Sequence, residues 1–186
     1  MNDTIMAIKN RRSHRKYRPE PIGEAELQAI VETAIYAPSA MNQQKWHFTV
    51  ISNKDVLDKM TSIIRENVLK SGIEMLANRA REPGFNVFHH APAVVIITAE
   101  ENAHFAEIDC GAAAQNIALA AESLNIGSCL VAMSGFLFDS DKAGEIKKEL
   151  GIPENHRHVI SVTLGYKEVE KPPVPPKKKE LISYIR

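Results

Sequence analysis

Residues 108–129 read IDCGAAAQNIALAAESLNIGSC, and a change of pattern inside this stretch sets the architecture. Ala113, Ala114, Ile117, Ala120, Ala121 and Leu124 fall on one stripe at helical spacing, while Gly111, Ala112 and Ala118 keep the remaining surface low. Such a helix lets another backbone come close, either within the chain or across an interface. The run from about Gly127 to Met133 then reads as a strand.

The same alternation continues outward in both directions. Upstream, AVVIITA from Ala93, introduced by Pro92, is a short buried strand, and REPGFN at residues 81–86 is a loop. Asn53 is placed to cap a long charged helix reaching roughly Arg79, with Gly72 as a weak point inside it. His47 to Ser52 is a strand. Leu27, Ile30, Val31, Ala34 and Ile35 mark an amphipathic helix between Gly23 and Pro38. Downstream, a helix is expected from about Asp139 to Leu150 and a strand from about His158 to Gly165. On periodicity alone this alternation favours a doubly wound parallel sheet.

At 186 residues and 44% hydrophobic, the chain suits one domain spanning 1–186 with a buried core. Lys plus Arg and Asp plus Glu both number 23, so no chain-wide field points to nucleic acid or an acidic membrane. The apolar runs near Val94–Ala99 and Leu130–Met133 are too short to span a bilayer. The first residues, broken by Asp3 and Lys9, do not read as a secretory signal, so a cytoplasmic location is expected. Cys110 and Cys129 sit in no CxxC pair or zinc-ligand spacing and read as two buried thiols.

Familiar catalytic devices are missing: no GxGxxG, Walker loop, GxSxG elbow or HExxH occurs. His89 and His90 are adjacent and cannot share a face, so no metal site is expected. Two basic clusters stand near opposite ends of the chain, Arg11, Arg12, Arg15 and Arg18 against Lys177, Lys178 and Lys179. RRSHRKYRPEPI combines dense donors with Ser13, and YAPSAMNQQKWHF sets Pro38, Ser39, Asn42 and Gln44 in a polar loop between helix and strand. The tail holds four prolines between Pro172 and Pro176 and ends in Leu181, Ile182, Tyr184 and Ile185. From about 166 to 186 it is expected to run extended and wrap a second subunit.

RRSxRxY followed some two dozen residues later by APSAxNxQxWHF resembles the nitroreductase family of FMN enzymes. The resemblance runs on through APAVVIITA, the small-residue helix, VAMSGF and LGYKE with PPKKKE, and so covers essentially the whole chain. It implies an α+β fold, a central mixed sheet flanked by helices, with the C-terminal arm exchanged between the subunits of a homodimer. It places Arg11, Arg12 and Ser13 by the FMN ribityl and phosphate groups and Arg15 by the pyrimidine side of the ring. There a fixed cation favours the reduced state. Lys177 and Lys179 would return to the phosphate, which explains why two distant basic clusters belong together. Pro38, Ser39, Ala40, Asn42 and Gln44 would reach the FMN bound chiefly by the other subunit, and Ser134 and Gly135 would bring a backbone N–H to flavin N5. Lys45 stands where the family commonly has a proline, and either Asn67 or Asn86 is the candidate for an Asn contact to the ring.

The activity implied is two-step electron transfer from NADH or NADPH through flavin N5 to a nitroaromatic, quinone or similar planar acceptor, with no catalytic side chain assigned. Other reactions on the same scaffold are alternatives: flavin reduction, reductive dehalogenation, azoline oxidation or flavin fragmentation. A nucleic-acid-binding module is the farther alternative, disfavoured by neutral charge and the lack of interleaved surface aromatics.

Overall fold

The computed structural model describes residues 2–170 and 174–186. Four strands form one sheet: β1 (Trp46–Ile51), β2 (Ala93–Glu100), β3 (Ile126–Val131) and β4 (His156–Tyr166), in the order β1-β2-β4-β3. Every ladder between them is antiparallel. The fold is therefore α+β as expected, but the sheet is not mixed at the level of its strands. A single parallel bridge, Ser13 to Ser128, is the parallel pairing found among the described residues.

The alternation of helix and strand misleads for a definite reason. β2 and β3 do run the same way and are joined by a helix, α5 (Ala106–Ser123), but β4 is inserted between them and runs opposite to both. A linear pattern cannot register that insertion. β2 and most of β4 are buried, which accounts for the unbroken apolar run AVVIITA.

Helices cover both faces. On one face α5 and α2 (Glu24–Glu32) pack Ile30, Ala113, Ala114 and Ile117 against Val95, Ile97, Val162 and Leu164. The small residues of α5 are thus used within the chain, while a side chain at Gly111 would meet open space. On the other face α3 (Lys54–Lys70) and the segments around Phe88 and Leu137 pack Ile64 and Val68 against Val94, Ile96 and Cys129. Phe88, Ile64 and Leu137 are completely or almost completely buried, each contributing about 2–3 kcal/mol of hydrophobic stabilisation.

The periodic run from Lys54 toward Arg79 is two helices, not one. Gly72, at φ 73°, follows the Ser71 cap of α3, and α4 (Glu74–Arg81) is a separate helix. Asn53 caps α3 as expected, its side chain accepting from the amides of Asp55 and Val56 at 3.0 and 3.2 Å. α6 (Ala143–Glu149) is shorter than its pattern suggested. An unexpected first helix, α1 (Asp3–Asn10), is capped by Asn2, whose Oδ1 accepts from the Ile5 amide at 3.0 Å.

β4 stays in the sheet through Tyr166, and Lys167 still bridges to Tyr17, so the chain leaves the sheet only beyond that point. Residues 174–186 are exposed throughout, with one 3-10 turn at Lys179–Leu181. Of the four tail prolines, Pro172 and Pro173 lie outside the described residues. Among the described residues no helix is long and apolar enough to cross a membrane.

Candidate functional site

The arginine-rich segment is laid over the sheet by contacts from far along the chain. The His14 amide donates to Ser128 O at 2.8 Å and the Arg18 amide to Tyr166 O at 2.9 Å. Between them the Tyr17 hydroxyl lies 2.6 Å from His14 O and 2.7 Å from Thr163 Oγ1. Burial pushes the Tyr17 pKa above its ordinary value, so the phenol keeps its proton.

Two glycines make room for this crossing. Gly127 and Gly165 are direct cross-strand partners. A Cβ at Gly165 would stand 2.7 Å from Pro92 Cδ and 2.8 Å from Tyr17 Cδ1, and one at Gly127 would stand 3.0 Å from His14 Cβ. With His14 and Tyr17 turned into the protein, Arg15 is left exposed at the mouth of a cavity.

That cavity, of about 400 Å³, lies against β3 and the loop that follows it. Arg15, Arg79 and His89 supply its polar groups, while Leu76, Phe85 and Phe136 give it apolar walls. Among the described residues neither Arg15 nor Arg79 has an ion-pair partner. His89 is held neutral, its pKa pushed down to about 4 by burial and then by the nearby charges of Arg15 and Arg79. Cationic groups beside flat apolar walls suit an aromatic ring that gains negative charge on reduction, so the donor set fits FMN.

The floor of the site is a 3-10 segment, Met133–Phe138. Ser134 is buried, and its hydroxyl lies 2.7 Å from Val131 O, 2.8 Å from Ser161 Oγ and 3.0 Å from His158 Nε2. Burial pushes the His158 pKa down to about 4. The Gly135 amide is engaged inside the loop, donating to Ala132 O at 3.0 Å, and a Cβ there would come within 3.2 Å of His158 Nδ1. Gly135 and His158 line a second cavity of about 430 Å³, which shares Ala132 and Phe136 with the first.

The loop carrying Pro38, Ser39, Ala40, Asn42 and Gln44 is elsewhere. It leads into β1, one edge of the sheet, whereas the cavity adjoins β3 at the other, a sheet width of about 14 Å at ordinary strand spacing. The loop is nonetheless well ordered internally. The Ala40 amide donates to both Asp109 carboxylate oxygens at 3.2 Å, the Gln44 amide to Ser39 Oγ at 3.1 Å, and Gln44 Nε2 to Asn42 Oδ1 at 3.1 Å. Met41, Asn42 and Gln44 all take positive φ, 53°, 54° and 50°.

The structure therefore brings Arg15 together with the loop containing Ser134, and Ser13 lies next to β3 through its bridge to Ser128. Arg11 and Arg12 are half-buried at the end of α1. Lys177 and Lys179, in the exposed tail, line neither cavity. Asn67 Nδ2 donates to Phe136 O at 2.7 Å, bracing the loop from behind. Asn86 Oδ1 accepts from the Phe88 and His90 amides at 2.9 and 3.2 Å, and neither asparagine lines the cavity. The sequence does not mark Arg79 or His158 as site residues and offers His89 only as an unsuitable metal ligand, because their neighbours come from distant segments.

Residues 8–166 match the sequence model of the Nitroreductase family. An FMN-bound nitroreductase of Bacteroides fragilis superimposes with a TM-score of 0.94 at 34% identity, covering 100% of both chains. An FMN-bound nitroreductase of Desulfitobacterium hafniense gives 0.92 at 36% identity, again covering 100% of both. A curated relative from Archaeoglobus fulgidus, which carries the name NADH dehydrogenase/NAD(P)H nitroreductase, is 31% identical over 176 residues, 92% of this chain and 89% of that one.

Proposed function

This chain belongs to the nitroreductase family and is an FMN-dependent oxidoreductase, and from that premise we propose that it is a homodimer passing electrons from NADH or NADPH to a planar, electron-poor acceptor. The observation that carries this reading is the cavity in which Arg15, without an ion-pair partner among the described residues, faces apolar and aromatic walls beside the loop after β3.

The chemistry supplied by bound FMN is two-electron transfer from the nicotinamide to a nitroaromatic, quinone or similar acceptor, in ping-pong order through one pocket. The chain's own part is binding and electrostatics. Arg11, Arg12 and Ser13 would hold the ribityl and phosphate groups, joined by Lys177 and Lys179 from the tail. Arg15 would place a fixed cation by the pyrimidine edge. The backbone around Ser134 and Gly135 would form the wall next to N5, with no side chain needed as nucleophile.

Pro38, Ser39, Ala40, Asn42 and Gln44 would complete the partner's site, which is consistent with a rigid loop a sheet width away from its own chain's cavity. Tyr36, Met41, Ile108, Leu181, Tyr184 and Ile185 are all at least 70% exposed, an apolar load better suited to a subunit interface than to a lone chain. On this reading the segment beyond Lys167 is the arm exchanged within one 1–186 domain pair.

The test is the visible spectrum of the purified protein, followed by anaerobic NADH or NADPH, with the mass in solution measured alongside. A yellow dimer bleached by either nicotinamide is expected. A protein that stays colourless after addition of FMN defeats the cofactor, and a yellow protein that neither nicotinamide bleaches defeats the donor.

A further inference from the structure

The cavity holds two arginines, Arg15 and Arg79, and the FMN reading above gives a role to one of them. Resting on the FMN reading above, Arg15 answers the single charge that builds on the flavin pyrimidine, and the phosphate is served by Arg11, Arg12 and the tail lysines. Arg79 comes from the last turn of α4, an element with no part in that arrangement, yet it lines the same cavity. Its neighbour on the helix shows the contrast. Arg81 is neutralised, with Nη1 3.1 Å from Glu74 Oε1 and 2.7 Å from Asn78 Oδ1, whereas Arg79 has no ion-pair partner among the described residues.

We propose that Arg79 recognises an anionic group on the acceptor, so that the site prefers aromatic acceptors bearing a carboxylate. Three features of the cavity support this. Among the described residues no Asp or Glu lines it, so an anionic guest meets no like charge there. Phe85 and Phe136 line it with Leu76, offering apolar surface to the ring that carries the carboxylate. His89, which lines the cavity with the two arginines, is neutral and so neither adds to nor competes with Arg79. Arg79 is itself exposed, and its guanidinium is free to bind a carboxylate through two parallel N–H···O bonds, which a neutral amide of the same shape cannot match.

The experiment uses FMN-loaded wild type, Arg79→Gln and Arg79→Lys. Calorimetric titration with benzoate and with benzamide gives the ratio of the two Kd values, and steady-state kinetics give the ratio of KM values for 4-nitrobenzoate and 4-nitrobenzamide. Wild type should favour the carboxylate in both ratios, Arg79→Gln should lower that preference by about tenfold, and Arg79→Lys should restore part of it. A wild type without preference overturns the proposal, as does an Arg79→Gln ratio equal to wild type. A shift in flavin reduction potential with the ratio unchanged also overturns it, by assigning Arg79 to the cofactor. Yellow protein bleached by a nicotinamide shows that the FMN reading survives such a failure, whereas a colourless protein defeats both.

Discussion

Ser134 Oγ and His158 Nε2 are 3.0 Å apart, joining the loop after β3 to the start of β4. The imidazole also lies 3.1 Å from Ser161 Oγ, so one half-buried ring serves two hydroxyls beneath the proposed flavin wall. Replacing His158 with Leu keeps most of the volume but takes a hydrogen-bond partner from both serines. A loss of about 1–3 kcal/mol in stability is expected, measured by urea denaturation. The visible band of the bound flavin should shift as the loop relaxes. An unaltered spectrum would separate the stability role from the site.

Gly165→Ala should damage the site from a distance. The added methyl would collide with Pro92 and Tyr17, and two contacts under 3.0 Å with ring atoms cannot be relieved by a flexible side chain. A destabilisation of about 1–3 kcal/mol is expected, together with weaker FMN retention on dialysis. Gly144→Ala, where a Cβ meets nothing within 4 Å, is the control and should leave FMN retention at the wild-type level.

Acid should destabilise the fold in a defined window. Burial pushes His158 down to about 4, and burial with Arg15 and Arg79 does the same to His89. Between that value and the ordinary histidine pKa of about 6.5, the unfolded chain takes up protons that the folded chain refuses. Stability should therefore fall as pH drops from about 6.5 to about 4, and these two groups should leave it level above and below. A fully shifted histidine contributes at most about 1.4 kcal/mol per pH unit there, and His89, which is partly solvated, less. Urea denaturation across pH 4.5–7.5 checks this, and His158→Gln should flatten the slope.

Arg15→Gln should make the bound flavin harder to reduce while leaving the thermal midpoint nearly unchanged, since Arg15 is exposed and has no ion-pair partner among the described residues. Potentiometric titration reads the change. An unshifted potential would remove Arg15 from the ring.

Replacing Lys177 and Lys179 together with Ala should loosen FMN without touching the sheet, because both lysines lie in the exposed tail. Cofactor content after dialysis measures it, and full occupancy would dismiss the tail from the phosphate.

How much of this was legible in the sequence depends on how far each signal reaches. The Asn53 cap and the buried run of β2 are local patterns that appear as read, whereas the stripe of α2 holds only through Val31, since the helix ends at Glu32 and Ile35 lies exposed in the 3-10 turn Thr33–Tyr36. α1 escaped because none of its residues is buried, so it shows no strong apolar stripe. Gly72 was noticed as a weakness but its positive φ, which splits the helix, was not. Strand direction was invisible because the insertion of β4 between β2 and β3 leaves no trace in periodicity. Family likeness pointed to Arg15 and Ser134, while Arg79 and His158 needed the folded chain, since their partners in space are remote in sequence.

The glycine pair in β3 and β4 also dictates an order of events. The arginine segment leaves the ribosome before the strands that seat it: its seat is cut by Gly127 and Gly165, and the hydroxyl that holds Tyr17 belongs to Thr163, 146 residues later. β3 offers the segment the Ser128 contacts, and β4 adds Thr163 and Tyr166, which complete the hold on Arg15 at the cavity mouth. A nascent chain halted before β4 should carry every arginine of the site and still show no affinity for flavin, making cofactor capture a report that the last strand has arrived.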